Sequence, residues 1–197
     1  MGDLRAIWAV SADLVGRPGA NYGREMALPL PIDDINALPD KEFVAVLGRV
    51  FEHAPWVAEG VLGRRPFADR DALHRAMLDV VAGAGREARM ALVCGHPELA
   101  GKAAIDRSLT AESASEQGGA GLDRLTPAEF ERFHALNAAY RAKFGFPFIV
   151  AVRGLGKLEI LSAFERRLGS TIEAEFDEAI RQIGRITGLR LADLVAA

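Results

Sequence analysis

The sequence predicts an all-α protein: a single compact helical domain of about seven or more helices. Three observations carry that prediction. The two clearest apolar stretches each open on Ser or Thr followed three residues later by Glu, at Thr126/Glu129 and Ser170/Glu173. Such a capping box satisfies the orphan N–H groups of a helix start reciprocally. Apolar residues recur at spacings of three and four, the period of one helix face. Alternating β-branched patterns are nearly absent. The one strand-like run, Phe148-Ile149-Val150-Ala151-Val152, is too isolated to build a sheet that stands alone.

Residues 1–30 differ from the rest. Gly16, Pro18, Gly19, Asn21 and Gly23, then Pro29 and Pro31, punctuate the chain too densely for either regular period. They predict an irregular N-terminal extension, with the helical domain over residues 31–197. Within it, Phe43, Val46, Leu47 and Val50 predict a helix over 40–51, Leu73, Met77 and Val80 one over 70–82, and a third covers 86–95. The strongest prediction is Thr126 to Phe144. Pro127 sits at its first position, where a missing N–H costs nothing. Phe130, Phe133, Asn137, Tyr140 and Phe144 form its stripe, and Gly145 ends it as a C′ residue. Leu158, Leu161, Phe164 and Leu168 predict a helix over 157–167 after Gly156. The last helix starts at Ser170, carries Ile172, Phe176, Ala179, Ile180, Ile183 and Ile186, and is expected to be interrupted at Gly188.

With 197 residues the chain suits one domain, two at most. Hydrophobic residues at 50% and charged residues at 26% exclude disorder and a disulfide scaffold. A net charge of −3 leaves no broad basic field, so neither nucleic acid nor a membrane surface is expected as a partner. The single cysteine, Cys94, cannot staple the chain and points to a reducing compartment. No apolar run approaches the ~18–20 residues of a membrane span. Asp3 ahead of a short apolar stretch makes a poor signal peptide, and the last residues carry no retention tripeptide. A cytoplasmic protein is expected.

Several further motifs bear on chemistry. Asp71-x-x-His74 and Glu131-x-x-His134 each place two ligand types on one helix face, the spacing of di-iron bundles, but no accompanying pair of glutamates appears. No metal site is expected, and a metal-dependent helical oxidase stays a minor alternative. Gly118-Gly119-Ala120-Gly121 and Gly154-Leu155-Gly156-Lys157 fit neither a P-loop nor a dinucleotide fingerprint and read as turns. No serine lies in a nucleophile elbow, and Cys94 has no nucleophile signature.

Three dense segments remain. In Cys94-Gly95-His96-Pro97-Glu98 the proline disfavours helix through His96 and puts the imidazole near a helix end. Ser113-Ala114-Ser115-Glu116-Gln117 is a polar run leading into glycines. Lys143 to Arg153 is unusually apolar for a connection. Each alone has a bland reading: a helix-end histidine, an exposed acid and amide, a core phenylalanine run. Together, acid, amide, imidazole and apolar wall suit a pocket for a polar heterocycle.

The motifs Phe51-Glu52-His53-Ala54-Pro55-Trp56-Val57-Ala58-Glu59, Arg65-Pro66-Phe67, His96-Pro97-Glu98-Leu99-Ala100 and Ser115-Glu116-Gln117 carry a resemblance. So do Leu136-Asn137-x-x-Tyr140, Lys143-Phe144-Gly145-Phe146-Pro147-Phe148-Ile149 and Leu189-Arg190-Leu191. In this order, over roughly residues 32–195, the chain resembles the 2-oxo-4-hydroxy-4-carboxy-5-ureidoimidazoline (OHCU) decarboxylases of urate degradation. The resemblance implies an all-α homodimer that uses no cofactor and converts OHCU to (S)-allantoin and CO2. It implies His96 as the catalytic histidine, read here as general acid/base, and Glu116 as the acid that binds substrate and is grouped with His96 as catalytic because it can orient or charge-stabilise the imidazole. Pro97, Ser113, Ala114, Ser115, Gln117, the segment Phe148, Ile149, Val150, Ala151 and Val152, and Arg190 are implied as substrate-binding. His53 is expected to be structural, holding the Pro55-Trp56 turn. Glu98 stands where the family motif commonly has Asp.

The chemistry suits these residue types. The carboxylate-bearing carbon of OHCU neighbours a ring C=N, so the electrons released with CO2 have a sink in the substrate. An imidazole with an ordinary pKa near ~6.5 can move the protons. Glu116 would accept from ureido or ring N–H groups, Gln117 would hold a ring carbonyl or hydroxyl, and Arg190 would grip the carboxylate bidentately or a carbonyl that gains charge. The alternative from another class is a non-catalytic helical dimer that binds a ureide.

Overall fold

The computed structural model describes residues 28–106 and 108–197. The expected extension falls outside the described residues up to position 27. Leu30, at its far edge, is buried and makes an isolated parallel bridge with Val195, its N–H donating to the Leu194 carbonyl at 2.8 Å. The regular elements of the described chain are helices: α1 (Ile32–Ala37), α2 (Asp40–Leu47), α3 (Trp56–Glu59), a 3-10 turn (Leu62–Arg64), α4 (Arg70–Gly83), α5 (Arg86–Cys94), α6 (Lys102–Ile105), α7 (Ala111–Gly119), α8 (Pro127–Phe144), α9 (Lys157–Arg167) and α10 (Ile172–Leu194). Apart from the one bridge, no strand occurs among the described residues.

α8 forms as its sequence predicts. Thr126 Oγ1 accepts from the Glu129 N–H, the Glu129 carboxylate accepts from the Thr126 N–H, and Gly145 closes the helix at φ 80°. α10 departs from expectation at both ends. Its cap is Thr171, whose Oγ1 accepts from the Ala174 N–H, rather than Ser170. It runs unbroken through Gly188 to Leu194. A Cβ on Gly188 would sit 3.1 Å from the His74 ring, so the glycine serves the close approach of α4 to α10 rather than a break. Ile172 and Leu158, both expected in buried stripes, are 45% and 73% exposed because each lies in the first turn of its helix, outside the packed face.

α10 is the spine, packed against α4, α5 and α8, while α9 lies along α8. Its buried face is continuous and partly polar: Glu175, Phe176, Ala179, Gln182, Ile183, Ile186, Thr187, Arg190, Leu191 and Leu194. Tyr140, Phe146, Phe148, Phe164 and Phe176 form an aromatic core between α8, α9 and α10, with the Phe148 and Phe164 rings stacked at 3.8 Å. Burying each such ring contributes about 1.5–3 kcal/mol.

Candidate active site

α5 stops at Cys94, and Pro97 has no N–H with which to continue it. His96 is therefore folded back under the helix end. Its Nδ1 lies 2.9 Å from the Leu92 carbonyl oxygen, and the residue is only 7% exposed. A carbonyl can only accept, so Nδ1 carries the proton and the neutral ring keeps its lone pair on Nε2. That Nε2 is buried and has no protein partner. Burial pushes the imidazole pKa down to about 4, against the Leu92 carbonyl and the Glu52 charge, which favour the cation.

The polar run at 113–117 is not a loop. Thr110 caps α7 by accepting from the Ser113 N–H at 3.2 Å, and the helix carries Ser113, Glu116 and Gln117 on one face at i, i+3 and i+4. Gly118 and Gly119, expected in a turn, complete its last turn. Gln117 has a structural task as well. Its Oε1 accepts from the Ala100 N–H at 2.9 Å, holding a residue whose φ is +52°. Asn137 of α8 fixes the same turn by donating to the Leu99 carbonyl at 2.8 Å. Gln117→Leu would leave the Ala100 N–H buried without a partner, at a cost of about 1–3 kcal/mol. A thermal melt followed at 222 nm should drop by roughly 5 °C; an unchanged melt would contradict this role.

Arg190 reaches from α10 to α7. Its Nε and Nη2 hold the Glu116 carboxylate bidentately, both at 2.8 Å, and Nη1 donates to Glu52 Oε2 at 2.8 Å. Nη2 also meets Ser113 Oγ at 3.2 Å, and Nη1 meets the Val50 carbonyl at 3.5 Å. Burial works against this cation, but the two carboxylates hold its pKa above the ordinary arginine value. All five N–H donors are thus engaged within the protein, and the fork expected to grip a substrate carboxylate grips Glu116 instead.

Another wall is the 148–152 segment, which belongs to no helix or strand. Side chains hold its backbone: Arg167 Nη1 donates to the Ile149 carbonyl at 2.7 Å, and Gln182 Oε1 accepts from the Ala151 N–H at 3.0 Å. The Arg167 guanidinium also lies 4.5 Å over the Phe148 ring and is anchored by Glu175, which accepts from Tyr140 too. Burial first, and then the Glu175 contact, raise the Tyr140 pKa, so the phenol stays a proton donor.

These elements enclose a pocket of about 30 Å³. His96, Pro97, Leu99, Ser113, Glu116, Gln117, Phe148, Ile149, Val150, Val152, Ile186 and Arg190 line it. A family model for OHCU decarboxylase matches residues 36–192. The chain belongs to the OHCU decarboxylase family. It is 39% identical over 165 residues to the 2-oxo-4-hydroxy-4-carboxy-5-ureidoimidazoline decarboxylase of Halalkalicoccus jeotgali, covering 84% of this chain and 92% of that one. It is 40% identical over 164 residues to the uric acid degradation bifunctional protein PucL of Bacillus subtilis, covering 83% of this chain but only 32% of that longer protein. The crystal structure of an (S)-allantoin synthase superposes with a TM-score of 0.69 at 31% identity, over 84% of this chain and 54% of that one.

Of the site residues that the OHCU decarboxylase resemblance implied, ten converge on the pocket, and Ala114, Ser115 and Ala151 do not. Ala114 and Ser115 are exposed because α7 turns them about 100° and 200° away from Ser113. Ala151 lines instead a larger cleft of about 1070 Å³, which shares only Val150 with the first pocket. Leu99 and Ile186 line the pocket although the sequence did not single them out; Ile186 belonged to a predicted buried stripe, one turn before Arg190. His53 is exposed, with its backbone left-handed at φ 51°. The two histidine–carboxylate pairs serve other ends. His74 Nε2 meets Thr187 Oγ1 at 3.0 Å, and His134 is exposed beside the Phe130 ring. No group of three or more His, Cys, Asp or Glu among the described residues is placed to hold a metal ion.

Proposed function

We propose that this protein decarboxylates OHCU to (S)-allantoin, with His96 Nε2 as the proton-transferring atom. The observation that carries the reading is the buried, unbonded Nε2 in the pocket of an OHCU decarboxylase-family chain, held in one tautomer by the Leu92 carbonyl. In the reaction the C–C bond to the carboxylate breaks and CO2 leaves. The bonding pair becomes a ring C=C, and the imine nitrogen takes the displaced π pair together with the one proton that the overall reaction consumes from solvent. Loss of the hydroxyl proton and protonation of the ureido-bearing carbon on one face then give the ring carbonyl and the (S) centre. His96 Nε2, the lone-pair side of a neutral imidazole, takes the hydroxyl proton; as imidazolium it has that proton to return to carbon.

The substrate's own imine is the electron sink, so the scheme calls on no cofactor. Glu116 has two lone pairs beyond those bound by Arg190 and accepts from the ureido N–H groups. Phe148, Ile149, Val150 and Val152 exclude water, which strengthens these fixed dipoles and charges. In the described residues no helix is long and apolar enough to cross a membrane. A cytoplasmic homodimer is part of this reading, supported by the lone Cys94 and by the resemblance.

The direct test follows circular dichroism while OHCU, generated in situ from urate, meets the purified protein. Rapid appearance of one allantoin enantiomer supports the reading, and racemic product at the spontaneous rate overturns it. A second expectation concerns pH. The base works only when neutral, so kcat/KM should fall with acid about a midpoint near 4, not near 6.5, and stay flat from pH 6 to 8. The same depression affects stability. Between pH 6.5 and about 4 the unfolded chain binds a proton at His96 that the folded chain refuses, so stability is lost as pH falls through that window. An acid limb centred near 6.5 would contradict the buried, neutral histidine.

A further inference from the structure

Glu52 lies within the connection between α2 and α3, does not line the pocket, and is 3% exposed. An isolated carboxylate at that depth would be protonated. Here three donors hold it. Thr110 Oγ1 donates to Oε1 at 2.7 Å, while Ser113 Oγ at 3.0 Å and Arg190 Nη1 at 2.8 Å donate to Oε2. Each donor belongs to the machinery around the pocket. Thr110 is the cap of α7, Ser113 lies on its pocket face, and Arg190 is the fork that grips Glu116. The turn carrying Glu52 also abuts the turn carrying His96, since a Cβ built on Gly95 would lie 3.7 Å from the Glu52 carbonyl oxygen.

We infer that Glu52 is a positioning residue of the decarboxylation: it locks Arg190 and the α7 cap in the orientation that presents Glu116, and its charge offsets Arg190 beside His96. The inference rests on the decarboxylase reading above. The charged and titratable groups around His96 are Glu52 and His53 from the α2–α3 turn, Arg190 from α10 and Glu116 from α7. Glu52 makes protonation of His96 easier, whereas Arg190 and His53 oppose it. Burial raises the pKa of Glu52 itself, but the bonds from Thr110 and Arg190 outweigh that and leave it below the ordinary carboxylate value. Without this negative charge His96 is a weaker base, while Glu116 and the apolar walls still meet the substrate.

Glu52→Gln tests the charge at constant size, since the amide can accept from Arg190 and donate to Thr110. Glu52→Asp keeps the charge but withdraws it by one methylene. Wild type is assayed first by circular dichroism; its failure to make one allantoin enantiomer sinks the decarboxylase reading, whereas an active wild type isolates the role of Glu52. Glu52→Gln is expected to lower kcat about tenfold with KM unchanged or lower, and to move the acid limb of kcat/KM to lower pH. Glu52→Asp is expected to lower kcat while leaving that limb closer to wild type. Wild-type kcat in Glu52→Gln, or a raised KM with kcat unchanged, overturns the inference. Should Glu52→Gln not fold, Glu52→Asp decides alone: reduced kcat at constant KM supports the role, and any other result overturns it.

Discussion

His96→Asn is expected to lower kcat by about 10²–10⁴-fold, the range typical of a positioned general acid–base group. The choice of asparagine matters. Its amide N–H can replace Nδ1 in donating to the Leu92 carbonyl, so the turn after α5 keeps its internal bond, and only the reactive Nε2 is deleted. The melting temperature should therefore stay near wild type while allantoin production falls to the spontaneous rate and loses its handedness. The converse result, a folded His96→Asn protein that still makes one enantiomer at the wild-type rate, would remove His96 from the chemistry.

The second large effect is on stability. Arg190→Ala leaves Glu52 and Glu116 facing each other without a cation, Glu52 being 3% exposed. Breaking a buried pair by deleting one partner costs about 3–5 kcal/mol. At ~2–4 °C per kcal/mol for a chain of this size, the melting temperature should fall by about 6–20 °C. The pH dependence gives a sharper check. In the native protein Glu52 titrates below its ordinary value, so its contribution is present at neutral pH and is lost as acid protonates it. Without Arg190 the Thr110 bond still favours the carboxylate, but burial has less to oppose it, so the pKa of Glu52 rises relative to wild type and acid relieves part of the penalty. The gap in melting temperature between variant and wild type should narrow from pH 8 to pH 5. A variant that melts normally and only raises KM would restore Arg190 to the role of a substrate anchor.

How legible these parts were in the sequence depends on what each helix buries. α8 was legible at both ends because Thr126, Pro127, Glu129 and Gly145 are local signals that the fold left in charge. α10 was legible in its middle but not at Gly188, where the decisive fact is the His74 ring from a helix more than a hundred residues away in sequence. α7 gave no periodic signal at all. It faces inward with Ser113, Glu116 and Gln117, so its period is written in polar residues, and a search for apolar stripes passes over it. The resemblance supplied what periodicity could not, and over a contiguous stretch; the helix then sorted Ser113, Glu116 and Gln117 inward from Ala114 and Ser115 outward. Glu52 lies in a motif of the resemblance, but nothing in the sequence alone marks an acid between two helices as buried. Only the convergence of Thr110, Ser113 and Arg190 does so.

The closed set of charges formed by Glu52, Arg190 and Glu116 has a consequence for the medium in which the protein works. Mobile ions weaken attraction between charges that water can reach, over a screening length of about 8 Å at physiological ionic strength. Here each carboxylate contacts the guanidinium at 2.8 Å, with side-chain exposures of 1%, 4% and 14% for Glu52, Arg190 and Glu116. No counter-ion can slip between them. Dissolved salt therefore has little hold on the electrostatics of this pocket, which its own side chains set.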